Sequence, residues 1–186
     1  MPRKSGLTPC STPLHPGVLQ VLQGATVVAG LDPGAEGALC VVREGVATIT
    51  TWRKNPEASV LVRALEGVSV IAIEAWTRRP GDRMGVTSWV SLVGEGMRLS
   101  GICEAIGVRV LRPTVDEWRS KVLGLRKSHD GDTAKLAAGW ACWGGGWSRS
   151  GMRLSFTVPD ADRSTHVAEG ACLAEYARLV TTKGAK

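Results

Sequence analysis

The chain has 186 residues, 44% of them hydrophobic, and its 23 Lys and Arg outnumber its 17 Asp and Glu. This length suits one domain with a real core, and no apolar stretch approaches the ~20 residues that a membrane helix needs, so we expect no membrane association. The excess of basic residues favours a polyanionic partner such as nucleic acid. The five cysteines are scattered and form no C-x-x-C pair, which argues against a zinc site and suits a reducing compartment.

Residues 1–24 are rich in Pro, Ser and Gly and predict a flexible extension ahead of one domain over residues 25–182. Strand-like runs then alternate with helical apolar spacing, which predicts an α/β fold with a mixed sheet of about five strands flanked by helices. The first three strands are joined by tight turns and should form an antiparallel meander. The predicted strands are 27–31, 38–43, 46–52, 68–73 and 108–111. The predicted helices are 58–66, 88–106, one that starts at Thr114 with Glu117 in a capping box, 133–143, and, after a long loop over 144–159, a last helix from Ser164 or Thr165 to about Val180.

Two carboxylates come at the ends of strands that should lie in the middle of the sheet. Asp32 follows the run "VVAGL", and Glu74 follows the β-branched run 68–73. If these strands are neighbours, both carboxylates emerge close together at the edge of the sheet where ligands of α/β proteins collect. Two close carboxylates raise each other's pKa unless a cation compensates, and hard cations such as Mg²⁺ prefer oxygen ligands of this kind. The pattern therefore predicts a divalent cation site.

The last predicted helix offers two more ligands on one face. His166 and Glu169 are three residues apart and share that face, while Ala168, Cys172 and Leu173 provide an apolar surface for the sheet. The helix could therefore pack on the sheet and present both side chains to the strand-end carboxylates. Each residue alone has an ordinary explanation as a turn residue or a solvated surface group, but their joint occurrence favours a functional site.

Four passages resemble the RuvC-like Holliday-junction resolvases of the ribonuclease H-like superfamily, and together they span residues 27–180. The passages are "GLDPGAEGALCVV", "VSVIAIEAW", "GEGMRLSGICEAIGVRVLRPTVDEW" and "HVAEGACLAEYA". The middle passage, with "WRSKVLGL" and a later Lys135, is most similar to the phage and organellar branch of that family. The order of the acids along the chain carries the resemblance more than any single motif.

The resemblance implies a ribonuclease H-like fold and a site that holds two Mg²⁺ ions, or Mn²⁺ in their place. By position, the residues that bind metal or act in catalysis are Asp32, Glu74, His166, Glu169 and Lys135. Lys135 is the helper for transition-state charge, and the other four are the metal ligands. The family more often has Asp where this chain has Glu169, so Asp160 and Asp162 are alternative ligands of lower rank. The implied reaction is metal-assisted hydrolysis of a phosphodiester.

Basic and aromatic residues near these acids are the predicted DNA contacts. The loop after Glu74 is basic, and its Trp76 either stacks on a base or packs on the following helix. A second basic group follows Thr114 along the chain. The predicted DNA-binding residues are Trp76, Arg78, Arg79, Arg83, Arg119, Lys121 and Lys127.

The resemblance further implies a C2 homodimer on a four-way DNA junction, with the glycine-containing helix 88–106 as the dimerisation helix. Three alternatives stay open: a ribonuclease H-like nuclease that acts on RNA–DNA hybrids or flaps, a catalytically inactive junction-binding protein, and an actin-like or sugar-kinase-like ATPase with the same core. The chain is short for a two-domain ATPase and lacks a second phosphate turn. We expect a cytoplasmic protein of a bacterium or phage. An organellar location is the alternative, because no acid precedes Asp32.

Overall fold

A computed structural model describes residues 26–76, 85–125, 131–144 and 153–183. These residues form a five-stranded sheet with helices on both of its faces. The strands are β1 Val28–Asp32, β2 Gly37–Arg43, β3 Val46–Trp52, β4 Val70–Ile73 and β5 Arg109–Leu111. The helices are α1 Ala58–Ala64, α2 Val86–Ala105, α3 Val115–Leu123, α4 Gly131–Trp143 and α5 Thr165–Lys183. The predicted extension, residues 1–24, lies outside the described residues, and the domain over 25–182 stays a prediction.

The sheet has the strand order β3-β2-β1-β4-β5. The first three strands form the antiparallel meander that their tight turns predict, and β1, β4 and β5 are parallel. The predicted mixed five-stranded α/β fold is therefore confirmed. Because β1 and β4 are parallel neighbours, with Leu31 opposite Ile73, their carboxyl ends lie side by side. This register brings Asp32 and Glu74 to the same edge of the sheet.

The central strands are buried because helices cover both faces of the sheet. Successive side chains of a strand point to opposite faces, so neighbouring residues enter different core layers. Val28 and Val70 pack with residues of α3, α4 and α5, whereas Ala29 and Ile71 pack with residues of α1 and α2. The two layers hold the carboxyl ends of β1 and β4 in place from both sides.

The predicted capping box at the start of α3 is confirmed. The backbone N–H of Thr114 donates to Oε2 of Glu117 at 2.7 Å, and the Glu117 N–H donates to the Thr114 hydroxyl at 3.4 Å. Gly124 ends the helix with a left-handed backbone, at φ 65°. Within the described ranges, no helix combines the length and apolar character that crossing a bilayer requires.

Several predicted bounds differ from the observed ones. β4 begins at Val70 rather than at 68, α2 begins at Val86 rather than at 88, and α5 continues to Lys183. Part of the predicted loop 144–159 pairs with the sheet, since Thr157 exchanges backbone hydrogen bonds of 2.9 Å with residues at the start of β3. Phe156, on one side of that residue, is buried in the core. Burial of this side chain explains why the segment does not behave as a free loop.

Candidate functional site

Asp32 ends β1 at a tight turn into β2. It pairs with Ala38 of β2 and is only 6% exposed. The turn needs glycine at Gly37, because a Cβ there would lie 2.5 Å from the Asp32 carbonyl oxygen and 2.6 Å from the Trp52 ring. Trp52 also donates its indole N–H to the Gly34 carbonyl at 3.0 Å. The sequence "LDPGAEG" therefore builds a compact turn that keeps a buried carboxylate at the end of a central strand.

Glu74 follows β4 and is 4% exposed. The next residue, Ala75, donates its backbone N–H to the Pro113 carbonyl at 2.8 Å, which extends the parallel pairing of β4 toward α3. α3 in turn brings Trp118 onto the carboxylate, and the indole N–H donates to Oε2 of Glu74 at 2.8 Å. The Glu74 side chain is therefore held between the sheet and α3.

α5 lies directly against the sheet because both have small residues where they cross. A Cβ at Gly30 of β1 would lie 2.1 Å from the backbone nitrogen of Ala174 and 2.2 Å from the carbonyl oxygen of Gly170. A Cβ at Gly170 would in turn lie 3.2 Å from the carbonyl oxygen of Ala38. This close approach puts the first turns of α5 over the carboxyl end of β1, where His166 reaches Asp32.

The predicted ligands line one cavity of about 470 Å³. The β1–β2 turn, the end of β4 and helices α3, α4 and α5 all contribute to it. Its charged and titratable lining includes Asp32, Glu74, Arg119, Lys135, His166 and Glu169. The structure therefore brings together all five of the residues that sequence analysis assigned to metal binding or catalysis.

Two contacts in the cavity pair a basic group with a carboxylate. Nδ1 of His166 lies 2.7 Å from Oδ2 of Asp32, and Nη2 of Arg119 donates to Oε1 of Glu169 at 3.3 Å. Nε2 of His166 lies 4.0 Å from Oε2 of Glu36, which is exposed. The imidazole therefore stands between one buried and one exposed carboxylate.

Burial works against negative charge on the cavity carboxylates. Burial and the nearby Asp32 charge raise the pKa of Glu74 to about 8, although the hydrogen bond from Trp118 favours the ionised form. Burial also raises the pKa of Asp32, against the opposing effect of His166. The pKa of Glu169 is raised by burial and by Asp32. The hydrogen bond to Asp32 raises the pKa of His166 and favours the imidazolium. The basic groups of the cavity therefore do not fully offset the cost of ionising its three carboxyl groups.

The donor chemistry of the cavity fits a hard divalent cation. Carboxylates whose pKa values are raised by burial and mutual repulsion regain their charge beside Mg²⁺, which prefers oxygen ligands. Among the residues that the structure describes, however, no three His, Cys, Asp or Glu side chains are spaced as ligands of one ion. His166 instead contacts Asp32 directly. Binding an ion would therefore require these side chains to rearrange within the cavity.

The sequence matches no family model and no curated protein. Among solved structures, it is similar to T. thermophilus RuvC in complex with Holliday junction substrate, at a TM-score of 0.59 and 16% identity over 86% of this chain and 97% of that chain. A second Thermus thermophilus RuvC structure matches at a TM-score of 0.51 and 16% identity, over 85% of this chain and 96% of that chain. The chain has a RuvC-like fold. The resemblance to the phage and organellar branch stays a prediction.

Lys135 and the predicted DNA contact Trp76 lie at the cavity of this RuvC-like fold. Lys135, on α4, lines the cavity, and its charge lowers the pKa values of Asp32 and Glu169, against the larger effect of burial. Trp76 is half-buried and also lines the cavity. Its indole nitrogen is buried with no hydrogen-bond partner in the described part of the chain.

Of the other predicted DNA contacts, the structure describes Arg119 and Lys121, and only Arg119 lies at the cavity. Arg119 lines the cavity and pairs with Glu169. Lys121 is exposed and does not line that cavity, and its Nζ lies 5.6 Å from the ring centroid of Tyr176. The remaining predicted DNA contacts lie outside the described residues: Arg78, Arg79, Arg83 and Lys127.

The alternative ligands Asp160 and Asp162 do not line the cavity with Asp32 and Glu74. Asp160 is exposed and forms an ion pair with Arg163. Asp162 is also exposed, and its Oδ1 accepts the backbone N–H of Ser164 at 2.9 Å just before α5 begins. Neither residue therefore lies at the cavity that Glu169 lines, and their role as alternative ligands stays a prediction.

Two residues that contact the candidate ligands were not predicted from the sequence. Trp118 follows the capping box of α3, and an apolar side chain at this position should face the sheet. The neighbouring sequence does not indicate that its hydrogen-bond acceptor is Glu74. Glu36 lies in the β1–β2 turn, four residues after Asp32, and this nearness in sequence was the available signal. The packing of α5 on the sheet brings His166 toward it. Both contacts join segments that are distant in the chain.

Proposed function

We propose that this protein is a structure-selective endonuclease that resolves four-way DNA junctions by metal-dependent hydrolysis of phosphodiesters. The observation that carries the proposal is the convergence of three carboxylates and one imidazole, from three separate parts of the chain, on one cavity. The net charge of +6 supports a nucleic-acid substrate. The RuvC structure that shares the fold holds a Holliday junction substrate, which supports a junction as the substrate class.

Asp32, Glu74, His166 and Glu169 are the proposed ligands for two Mg²⁺ ions, or Mn²⁺ in their place. Bound ions of this kind supply the Lewis acidity that activates a water molecule and stabilises the leaving oxygen of a phosphodiester. Asp32 and Glu74 offer their oxygens from the ends of central strands, so their positions depend on the rigid sheet rather than on a loop. His166 would act as a neutral imidazole and exchange its contact with Asp32 for the ion.

Lys135 and the basic residues around the cavity are the proposed partners of the DNA phosphates. Lys135 is exposed at the cavity, where a cation stabilises the charge that develops on the scissile phosphate. Each further phosphate contact should add to the salt dependence of binding. The proposed contacts are Trp76, Arg78, Arg79, Arg83, Arg119, Lys121 and Lys127.

We also propose that the protein acts as a homodimer through α2. Val86, Val90 and Met97 are 58%, 55% and 62% exposed, and their spacing puts them on one face of the helix. A two-fold pair of sites matches the symmetry of a four-way junction. Light scattering coupled to size exclusion tests the dimer, and Val90→Lys should yield a monomer.

A cytoplasmic location is also part of this proposal. Cys40, Cys103, Cys142 and Cys172 are free thiols, which supports a reducing compartment.

The decisive experiment compares three substrates with the wild-type protein: a four-way junction, a linear duplex of the same sequence and an RNA–DNA hybrid. We expect paired nicks in the junction with Mg²⁺ or Mn²⁺ and none in EDTA. Cleavage of the hybrid in preference to the junction would favour another ribonuclease H-like nuclease. Tight junction binding without cleavage in either metal would favour an inactive junction-binding protein.

Asp32→Asn should lower junction cleavage by more than about 100-fold, because it removes an anionic ligand that the reaction needs. Junction binding should stay the same or become tighter, since the substitution removes negative charge beside the DNA. Single-turnover cleavage and gel-shift titration measure the two effects separately. Equal cleavage by the variant and the wild type would remove Asp32 from the catalytic set.

A further inference from the structure

Trp118 is fully buried, and the one polar atom of its side chain is directed at a proposed metal ligand. Its relative exposure is 0%, and its indole Nε1 lies 2.8 Å from Oε2 of Glu74, which is itself 4% exposed. An indole N–H only donates, so the contact is unambiguous in its direction. A large ring enclosed on all sides cannot turn to another rotamer without disturbing its neighbours.

The local sequence explains why the ring is in this place. Pro113 accepts the backbone N–H of Ala75, which ties the segment before α3 to the residue after Glu74. Thr114 and Glu117 then start α3 through the capping box, and Trp118 is the next residue. The bridge between Ala75 and Thr114 and the capping box of α3 together place the indole against the carboxylate.

The indole N–H occupies one side of the Glu74 carboxylate. This hydrogen bond to Oε2 restricts rotation of the carboxyl group and leaves Oε1 free of this contact. The charges that face Glu74 come from Asp32 on β1, from Glu169 on α5 and from Arg119 on α3. Two of these three are carboxylates that repel Glu74, so a fixed neutral donor resists the rotation that this repulsion favours.

Arg119, the residue after Trp118, contacts a different carboxylate of the cavity. The guanidinium of Arg119 lies 5.2 Å from the centroid of the Trp118 ring and donates to Glu169 at 3.3 Å. Consecutive residues of α3 therefore contact carboxylates that come from β4 and from α5. Trp118 is fully buried and does not line the cavity, whereas the Arg119 side chain is 19% exposed and lines it.

We propose that Trp118 is a positioning residue for the metal centre, which orients the Glu74 carboxylate for ion binding through its indole N–H. The inference rests on the proposed function and adds a residue to it. Groups that hydrogen-bond a ligand from outside the metal shell commonly change metal affinity 10–100-fold when they are removed. Trp118 is built into the core as such a group, and no charge or DNA contact is needed for its role.

The test is Trp118→Phe, which removes the N–H and keeps most of the ring. Its matched control is Trp143→Phe, because Trp143 also donates its indole N–H to an oxygen, the Pro159 carbonyl at 3.3 Å, but is at the end of α4. Isothermal titration with Mg²⁺ alone, in the absence of DNA, measures metal affinity. We expect Trp118→Phe to weaken Mg²⁺ binding about 10-fold or more and the control to bind as the wild type does.

A second measurement needs no variant and so does not depend on folding of Trp118→Phe. In ¹⁵N-labelled wild-type protein, the Trp118 indole resonance should shift during Mg²⁺ titration, and the Trp143 resonance should stay in place. An unmoved Trp118 resonance at saturating Mg²⁺, or a Trp118→Phe variant with wild-type Mg²⁺ affinity, would overturn the inference and leave the proposed function intact. A wild-type protein that neither binds Mg²⁺ nor cleaves junctions would overturn both.

Discussion

Helix α5 has two glutamates, Glu169 near its start and Glu175 near its middle, and the two differ in what balances their charge. Glu169 lines the cavity with Asp32 and Glu74, and the charge of Arg119 acts on both Glu169 and Glu74. Glu175 is 6% exposed but accepts hydrogen bonds from Ser155 at 2.6 Å and from Nε and Nη2 of Arg178 at 3.0 and 2.7 Å. Glu169 therefore lies among other carboxylates, whereas Glu175 has its own cation and hydrogen-bond donors.

The comparison shows that burial of a carboxylate does not by itself mark a functional site. Glu95 on α2 is also buried, and like Glu175 it pairs with an arginine three residues later, Arg98, at 2.6 Å. A buried carboxylate with its own cation and hydrogen bonds serves the fold. The cavity carboxylates instead raise one another's pKa, which is the usual sign of a ligand or catalytic site.

The largest effect is expected from Gly30→Ala, which would push α5 away from the sheet where the two cross. A Cβ at this position meets the backbone of Ala174 at 2.1 Å, so the helix must move as a whole. We expect the free energy of unfolding to fall by more than about 3 kcal/mol in urea denaturation followed by circular dichroism. The control is Gly101→Ala in α2, where an added Cβ would have no neighbouring atom within 4 Å. Its free energy of unfolding should rise by about 0.5–1 kcal/mol. Equal stability of the two variants would contradict the close packing.

Glu175→Gln and Glu169→Gln compare the two glutamates of α5 directly. Glu175→Gln should lose about 2 kcal/mol of unfolding free energy, because Arg178 and Ser155 lose a charged partner. Glu169→Gln should leave the unfolding free energy unchanged or raise it, because it removes a charge that burial and Asp32 oppose. Urea denaturation at pH 7 in EDTA measures both. An equal loss of unfolding free energy in the two variants would contradict this difference between Glu169 and Glu175.

Glu74→Gln should raise stability at high pH when no divalent ion is present. The pKa of Glu74 is about 8 in the folded protein, against an ordinary value of 4.5, so the folded state binds a proton that the unfolded state has released. Wild-type stability should therefore fall as the pH rises from about 4.5 to 8, whereas Gln does not ionise. We expect a gain of about 1–2 kcal/mol at pH 8 and none at pH 5, from denaturation in EDTA. A gain that is equal at both pH values would contradict this cause.

Asp160→Asn should have the smallest effect of the series. The side chain is exposed, pairs with Arg163 and lies away from the cavity. We expect junction cleavage and the unfolding midpoint to match those of the wild type, measured alongside Asp32→Asn. A loss of cleavage would restore Asp160 as an alternative to Glu169.

The amino-acid sequence by itself determined the elements and the positions of the acids along them. β-branched runs and tight turns predicted the strands, and the Thr114–Glu117 spacing predicted the start of α3. These features depend on interactions between residues that are close in the chain, which is why a single sequence reveals them. The strand-end positions of Asp32 and Glu74 followed from the same local pattern, as did the shared face of His166 and Glu169.

The tertiary structure alone decided which of these groups meet and how their charges are balanced. Gly30 and Gly170 let α5 approach the sheet, and only this packing brings His166 to Asp32. The contact of Trp118 with Glu74 joins segments that lie far apart in the chain. Such pairings depend on how helices and sheet pack in three dimensions, and burial then sets the pKa values, so no local pattern in the sequence could supply them.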